Sequence, residues 1–204
     1  MTKRGNENAA YAADPRLKAF LDMTARAEGT YGVSDNGYDI LYGYGKFTNY
    51  KAHPNKKVTK GGWTSTAAGR YQFLYKTWNP IRISNGLPDF SPGSQDIGAV
   101  ELLRAGGAIP KILAGDITGA IKKVKGIWAS FPGAGYGQGE RSLSTMLSWY
   151  NAALASYGGT PVVSQNNTAA NPGTKITEAG TGPVQVILII GFALAMIYAY
   201  FNYR

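Results

Sequence analysis

From Gly158 to Pro183 the chain is rich in glycine, threonine, asparagine and proline, with too few large apolar side chains to close a core. A folded domain must therefore come from the residues before it. They suffice for one globular domain and are too few for two of full size. The 204 residues accordingly divide into an N-terminal arm over 1–13, a domain over 14–157, a flexible linker over 158–182 and a distal segment over 183–203. In that last segment Val184 to Phe201 carries no charge and is apolar on every face, with only Gln185 interrupting. Such a run matches the roughly 20 residues that cross a bilayer, so a C-terminal transmembrane helix is expected rather than a buried helix of the domain. Tyr198, Tyr200, Phe201 and Tyr203 cluster at its end, where amphipathic rings favour the headgroup region. Gly191 and Ala195 form a small-xxx-small pair that weakly suggests helix association. No continuous apolar stretch precedes Leu17, so a cleavable signal peptide is not expected.

Within 14–157 the helical period dominates. Asp14-Pro15 combines an N-cap acceptor with a residue preset for the first helical position, and Gly29 supplies a stop, which predicts a helix from Pro15 to Glu28. Leu17, Phe20, Leu21, Thr24 and Ala25 recur at helical spacing on one face, and Glu28 falls on that same face. From Thr30 to Gly62 glycine, tyrosine and asparagine surround short β-type runs, Tyr38 to Tyr42 and Lys46 to Tyr50, which read as a small β-hairpin lobe. Helical signals return from Thr66 to Trp78, where Pro80 should end the run, and again from Ser91-Pro92 to Gly106. Shorter helices are expected over Ile109 to Leu113 and Ile117 to Val124, with a last one over Ser142 to Tyr157. The fold class is α+β: a mainly helical domain with a small β-hairpin lobe and a cleft between the two.

Composition narrows the partners. With 21 Lys and Arg against 12 Asp and Glu the chain carries a formal charge of +9, which favours an anionic partner such as nucleic acid, an acidic membrane or a cell-wall polymer. The positive charge is dilute, in pairs such as Lys56-Lys57 and Lys122-Lys123, so nucleic acid is not the expected partner. Cysteine is absent and His53 is the only histidine. A thiolate nucleophile is thereby excluded, and a histidine metal cluster or histidine-dependent triad has little material to work with. No metal or cofactor is expected, and His53 reads as a packing or solvated residue.

Glu28 is the residue that most suggests chemistry. Its spacing sets a carboxylate on the inward face of a helix, in the last turn, where burial and the negative dipole end both disfavour ionisation. An acid so placed keeps its proton near neutral pH and can donate it to a leaving oxygen. The alternative is a glutamate paired with Arg26 or Arg70, or turned to water. Tyr38-Asp39, Ser65-Thr66 and Gly69-Arg70-Tyr71-Gln72 add hydroxyls, an amide and aromatic rings, the mixture that covers pyranose faces and hydrogen-bonds sugar hydroxyls. Tyr42, Tyr44, Tyr50 and Trp63 read as lobe packing, and Trp78, Trp128 and Trp149 as core.

Several motifs occur in order between about Leu17 and Tyr150: Phe20-Leu21-Asp22-Met23, Glu28-Gly29-Thr30, Gly37-Tyr38-Asp39, Gly69-Arg70-Tyr71-Gln72, Asp89-Phe90-Ser91-Pro92, Ser94-Gln95-Asp96, Ile127-Trp128-Ala129-Ser130 and Pro132-Gly133-Ala134-Gly135-Tyr136-Gly137-Gln138. On these the chain resembles the bacteriophage lambda lysozyme (endolysin) family of lytic transglycosylases, within the lysozyme-like superfamily. The resemblance implies a lysozyme-like fold, Glu28 as catalytic acid/base, and cleavage of the β-1,4 bond from N-acetylmuramic acid to N-acetylglucosamine in peptidoglycan with a 1,6-anhydro product. Tyr38, Asp39, Ser65, Thr66, Arg70, Tyr71, Gln72, Tyr136 and Gln138 are the expected substrate-binding residues. Asp39 has a second reading as a strand residue bonding nearby backbone or Arg70, and Tyr136 as a loop anchor. A hydrolytic muramidase is the alternative activity, and a non-catalytic glycan-binding or structural virion membrane protein the alternative of another class. Expected partners are peptidoglycan glycan strands, a membrane through the C-terminal helix, and other lysis or virion proteins. The expected localisation is membrane-anchored, at the host inner membrane or a virion membrane, with the domain acting on periplasmic peptidoglycan.

Overall fold

The computed structural model describes residues 1–135 and 139–162. Seven helices and one small sheet make up the described residues: α1 (Lys3–Ala13), α2 (Pro15–Ala27), β1 (Val58–Lys60), β2 (Trp63–Ser65), α3 (Tyr75–Asn85), α4 (Pro92–Ala105), α5 (Ile109–Leu113), α6 (Ile117–Val124) and α7 (Leu143–Ser156). The α+β lysozyme-like arrangement expected of the domain is present, helices forming the body and the lobe standing between α2 and α3.

Helix α2 is the hub. Asp14 caps it by accepting from the Arg16 N–H, Pro15 opens it, and Leu17, Phe20, Leu21 and Met23 are buried along it. Each such side chain contributes about 1.5–3 kcal/mol of hydrophobic stabilisation. The buried face lies along α7 and also meets α1, α4 and α5. Residues 1–13, read as an arm, hold α1, capped by Thr2 and packed on α4 and α3. Gly5 is buried there, and a Cβ on it would come within 2.1 Å of the Asn85 carbonyl oxygen, so only glycine permits the approach.

Two local expectations are corrected. The run from Thr66 to Trp78 is not one helix. Ala68 bridges Leu41 and Phe73, Gly69 and Gln72 take positive φ values of 78° and 50°, and α3 begins only at Tyr75. Thr66 still caps a helix, from a distance, its hydroxyl accepting from the Tyr75 N–H at 3.3 Å. Pro80 lies inside α3 instead of ending it. It removes only the bond to the carbonyl of exposed Lys76, which water can satisfy, while Trp78 and Ile81 on either side are buried and hold the helix together. The hairpin is also displaced within the lobe. Ile40 and Lys46 form a single bridge around a 3-10 turn at Tyr42–Tyr44, and the paired strands are β1 and β2, with Lys60 opposite Trp63. Gly61 and Gly62, at φ 58° and 81°, make the two-residue turn whose twist matches a hairpin.

The expected transmembrane helix over 183–203 lies outside the described residues. Among the described residues no helix is long and apolar enough to cross a membrane. The longest, α4 and α7, have 14 residues each, about 21 Å of helix against a hydrocarbon core of about 30 Å, and they spend their apolar faces on the domain core. The transmembrane element and the membrane-anchored localisation built on it are therefore withdrawn.

Candidate active site

Glu28 closes α2. Its N–H still bonds back to Thr24, Gly29 follows at φ 74°, and the N–H groups of Gly29 and Thr30 return to the carbonyls of Arg26 and Ala25 at 3.1 and 3.0 Å. This paired 5→2 and 6→1 bonding is a Schellman stop, which turns the chain sharply and leaves the glutamate at the carbonyl end of the helix. Thr30 locks the turn, its hydroxyl donating to the Arg70 carbonyl at 2.6 Å.

The Glu28 carboxyl faces the segment after α6. Ser130 Oγ donates to its Oε1 at 2.6 Å. Burial pushes the carboxyl up to about 7, opposed by the Ser130 hydrogen bond and by the nearby Arg141 charge. The residue as a whole is only partly buried. Tyr44 reaches toward the same place from the lobe: its hydroxyl is raised chiefly by burial and feels the charges of Arg141 and Glu28. Tyr44 holds φ at 70°, a costly conformation for a tyrosine, with the Lys60 ammonium 5.4 Å from its ring centre. Trp63, at the lobe's hairpin turn, is 49% exposed. Neither is simple lobe packing.

The other expected site residues divide. Arg70 is 1% exposed and pairs with Asp22 at 2.6 Å, donates to the Asn36 carbonyl, and lies 5.2 Å from the Tyr38 ring centre. Tyr38 and Tyr71 both donate to Asp96 Oδ1, at 2.9 and 2.6 Å, and Tyr71 is 2% exposed. Burial raises Asp96 and holds both phenols well above their ordinary range. Gln72 donates to the Gly69 carbonyl at 2.9 Å, while its buried Oε1 has no partner among the described residues. Ser65 accepts from the Ala67 N–H at 3.0 Å. Asp39 accepts from the Ser34 hydroxyl at 2.6 Å and the Asp35 N–H at 3.2 Å, and Asp35 accepts from Tyr50 at 2.6 Å. Most of these groups thus hold one another. Tyr136 and Gln138 lie outside the described residues.

Ser130 and Arg141 were not among the sequence candidates. Ser130 stands in the quoted Trp128-Ala129-Ser130 motif, but no local spacing joins it to a glutamate 102 positions earlier. The Trp128 indole ties that segment to the site by donating to the Tyr71 carbonyl at 3.2 Å. His53 is a packing residue: Nε2 donates to the Phe73 carbonyl at 2.8 Å, Nδ1 accepts from the Asn55 N–H at 3.0 Å, and burial pushes the ring down to about 4. Among the described residues no group of three or more His, Cys, Asp or Glu is arranged to hold a metal.

The comparisons agree with this architecture. The chain is 45% identical over 141 residues to the endolysin of Escherichia phage lambda, covering 67% of this chain and 89% of that protein. It is 44% identical over 159 residues to the endolysin of Escherichia phage P2, covering 71% and 94% respectively. The structure of bacteriophage lambda lysozyme complexed with a chitohexasaccharide superposes with a TM-score of 0.67 at 44% identity, over 72% of this chain and 96% of that one. A second lambda lysozyme structure gives 0.62 at 43% identity over the same shares. The endolysin sequence family matches residues 18–157, nearly the whole domain that carries Glu28 and Ser130, and the chain belongs to that family.

Proposed function

We propose that this endolysin is a lytic transglycosylase that cleaves the bond from N-acetylmuramic acid to N-acetylglucosamine in peptidoglycan, with Glu28 as its acid and base. The observation that carries the reading is one carboxyl, on a partly buried residue at the end of α2, that accepts a single side-chain hydrogen bond among the described residues, from Ser130, and whose pKa is pushed up to about 7. Near neutrality both its forms are populated. Protonated Glu28 gives its proton to the glycosidic oxygen as the bond to C1 breaks. The resulting carboxylate then takes the proton of the muramyl C6 hydroxyl as that oxygen bonds to C1. The acid is regenerated, no water is consumed, and the products are a 1,6-anhydro end and a free N-acetylglucosamine hydroxyl.

A hydrolytic route generally uses a second carboxylate, about 5–5.5 Å away for retention and 6.5–9.5 Å for inversion. At the shorter distance a like charge would raise Glu28 further. Among the described residues the influences on Glu28 are burial, Ser130 and Arg141, with no carboxylate among them. Asp35 and Asp39 are engaged by Tyr50 and Ser34. Glycan binding is supported by the lobe, where Trp63 is exposed and Tyr44 is half-buried near Glu28, and by the lambda lysozyme relative, whose structure is of a complex with a chitohexasaccharide. Tyr38, Asp39, Ser65, Thr66, Arg70, Tyr71 and Gln72 belong to the reading as the frame of the cleft, and Tyr136 and Gln138 as substrate-binding residues. Mass spectrometry of muropeptides tests it. Products ending in 1,6-anhydro-muramic acid are expected, absent with Glu28→Gln; reducing muramic ends from the wild type would reject transglycosylation in favour of hydrolysis.

A further inference from the structure

The segment from Ser130 to Arg141 is closed at its base by a backbone bond, the Arg141 N–H donating to the Ser130 carbonyl at 2.8 Å. The two residues that act on the Glu28 carboxyl, one by a hydrogen bond and one by charge, are therefore held side by side. Arg141 Nε also reaches the Ala27 carbonyl, at 3.4 Å, on the last turn of α2. Immediately before Arg141 stands Glu140. It is exposed, yet both its carboxylate oxygens are used within the loop: Oε2 accepts from the Gly133 N–H and Oε1 from the Gly135 N–H, each at 2.7 Å. Gly133 and Gly135 adopt φ values of 74° and 78°, a conformation that suits glycine and turns the two N–H groups toward one carboxylate. Charge-assisted bonds of this length are roughly twice as strong as neutral ones.

We propose that Glu140 is a positioning residue of the active site: by latching the Gly133–Gly135 turn onto the base of its loop, it holds Ser130 and Arg141 against Glu28. The inference rests on Glu28 as the acid/base and adds to it a residue that touches no substrate. Among the described residues the groups facing Glu28 are Ser130 and Arg141 from the loop and Tyr44 from the lobe; Glu140 accepts from the two glycine N–H groups, and the Lys125 ammonium lies beside Gly133, 3.6 Å from where a Cβ on it would stand. Ser130 and Arg141 both favour the carboxylate form, against burial. With the latch open their influence weakens and Glu28 keeps its proton to higher pH. The second step, which needs the carboxylate, slows.

The test compares peptidoglycan clearing against pH for the full-length wild type, Glu140→Ala, Glu140→Gln and Glu28→Gln, with thermal melts of each. Glu140→Ala is expected to lower kcat roughly tenfold, the scale of a small misplacement of a catalytic group, with KM little changed. Its alkaline limb moves up by about half a pH unit or more. Glu140→Gln keeps one acceptor oxygen and falls between, which preserves the test if the alanine variant does not fold. A folded Glu140 variant with wild-type kcat and pH profile, or one altered in KM alone, would overturn the latch. Full clearing by Glu28→Gln would overturn the acid/base assignment and the latch with it, whereas an inactive Glu28→Gln beside a wild-type-like Glu140→Ala removes the latch only.

Discussion

Glu28 and Glu101 are glutamates of the same helical body, treated in opposite ways. Glu101, on α4, is fully buried and accepts from the Arg4 Nε at 2.8 Å, from a second Arg4 nitrogen, and from the Asn8 amide at 2.7 Å. Asn8 in turn binds Asn85 at 2.8 Å and receives Arg104 at 2.7 Å, so the charge is absorbed by a network that fastens α1 to α3 and α4. Glu28 has, among the described residues, one side-chain hydrogen bond, from Ser130, and Arg141 as its nearby cation. A fully satisfied carboxylate is framework, because neither its proton nor its lone pairs are available. An under-satisfied one on a partly buried residue stores the tendency to hold a proton, which general acid/base chemistry uses.

Opposite signs should follow when each is changed. The largest effect is expected for Glu28→Gln, a loss of clearing activity of about 10³-fold in a turbidity assay on purified peptidoglycan. Residual activity within tenfold of wild type would erase the distinction. Glu101→Ala should instead cost about 3 kcal/mol in chemical denaturation, since it removes a fully buried carboxylate that pairs with Arg4 and accepts from the Asn8 amide, with activity per folded molecule retained. Glu28→Gln should run the other way in the same assay. An unfolded glutamate ionises near 4.5 and folded Glu28 only near 7, so the folded state binds more protons between those values and stability falls as pH rises through them. Glutamine removes that penalty. The shift corresponds to about 3 kcal/mol, and partial exposure reduces the expected gain at pH 8 to about 2 kcal/mol. A variant less stable than wild type at pH 8 would show that Glu28 is a structural carboxylate after all. Ser130→Ala removes a bond that favours the carboxylate, so the alkaline limb of the pH profile should move upward, with kcat falling severalfold. The smallest effect is expected for Thr2→Ala. It deletes the cap to the Gly5 N–H and the bond to the Ser84 carbonyl, and should cost about 1 kcal/mol without altering the pH profile.

Much of the helical body was legible because its signals are local. Asp14-Pro15 and Gly29 bound α2, and the boundaries expected for α5 and α6 are those observed, Ile109–Leu113 and Ile117–Val124. The lobe was read less well. Gly61-Gly62 carries a two-residue hairpin signal, but the flanking Val58–Lys60 and Trp63–Ser65 are three residues each, too short for alternation to stand out against the tyrosine-rich runs before them. Thr66 to Trp78 has helical composition throughout, yet bridges from Leu41 and Phe73 to Ala68 claim its first half. Arg70 and Tyr71 look like ligand contacts in a list of residue types. Their partners Asp22 and Asp96 lie 48 and 25 positions away, and only folding reveals them as a closed network.

The sequence by itself determined where helices start and stop, which face of α2 is apolar, and that a glutamate ends that face beside a glycine stop. Caps, proline and periodicity act within a few residues, so they can be read along the chain. Only the tertiary structure decided what that glutamate meets: a serine 102 positions on at 2.6 Å, and an arginine stitched to that serine by a backbone bond. Proton affinity depends on burial and on charges gathered from distant segments, and those distances exist only once α2 and the loop before α7 have packed together.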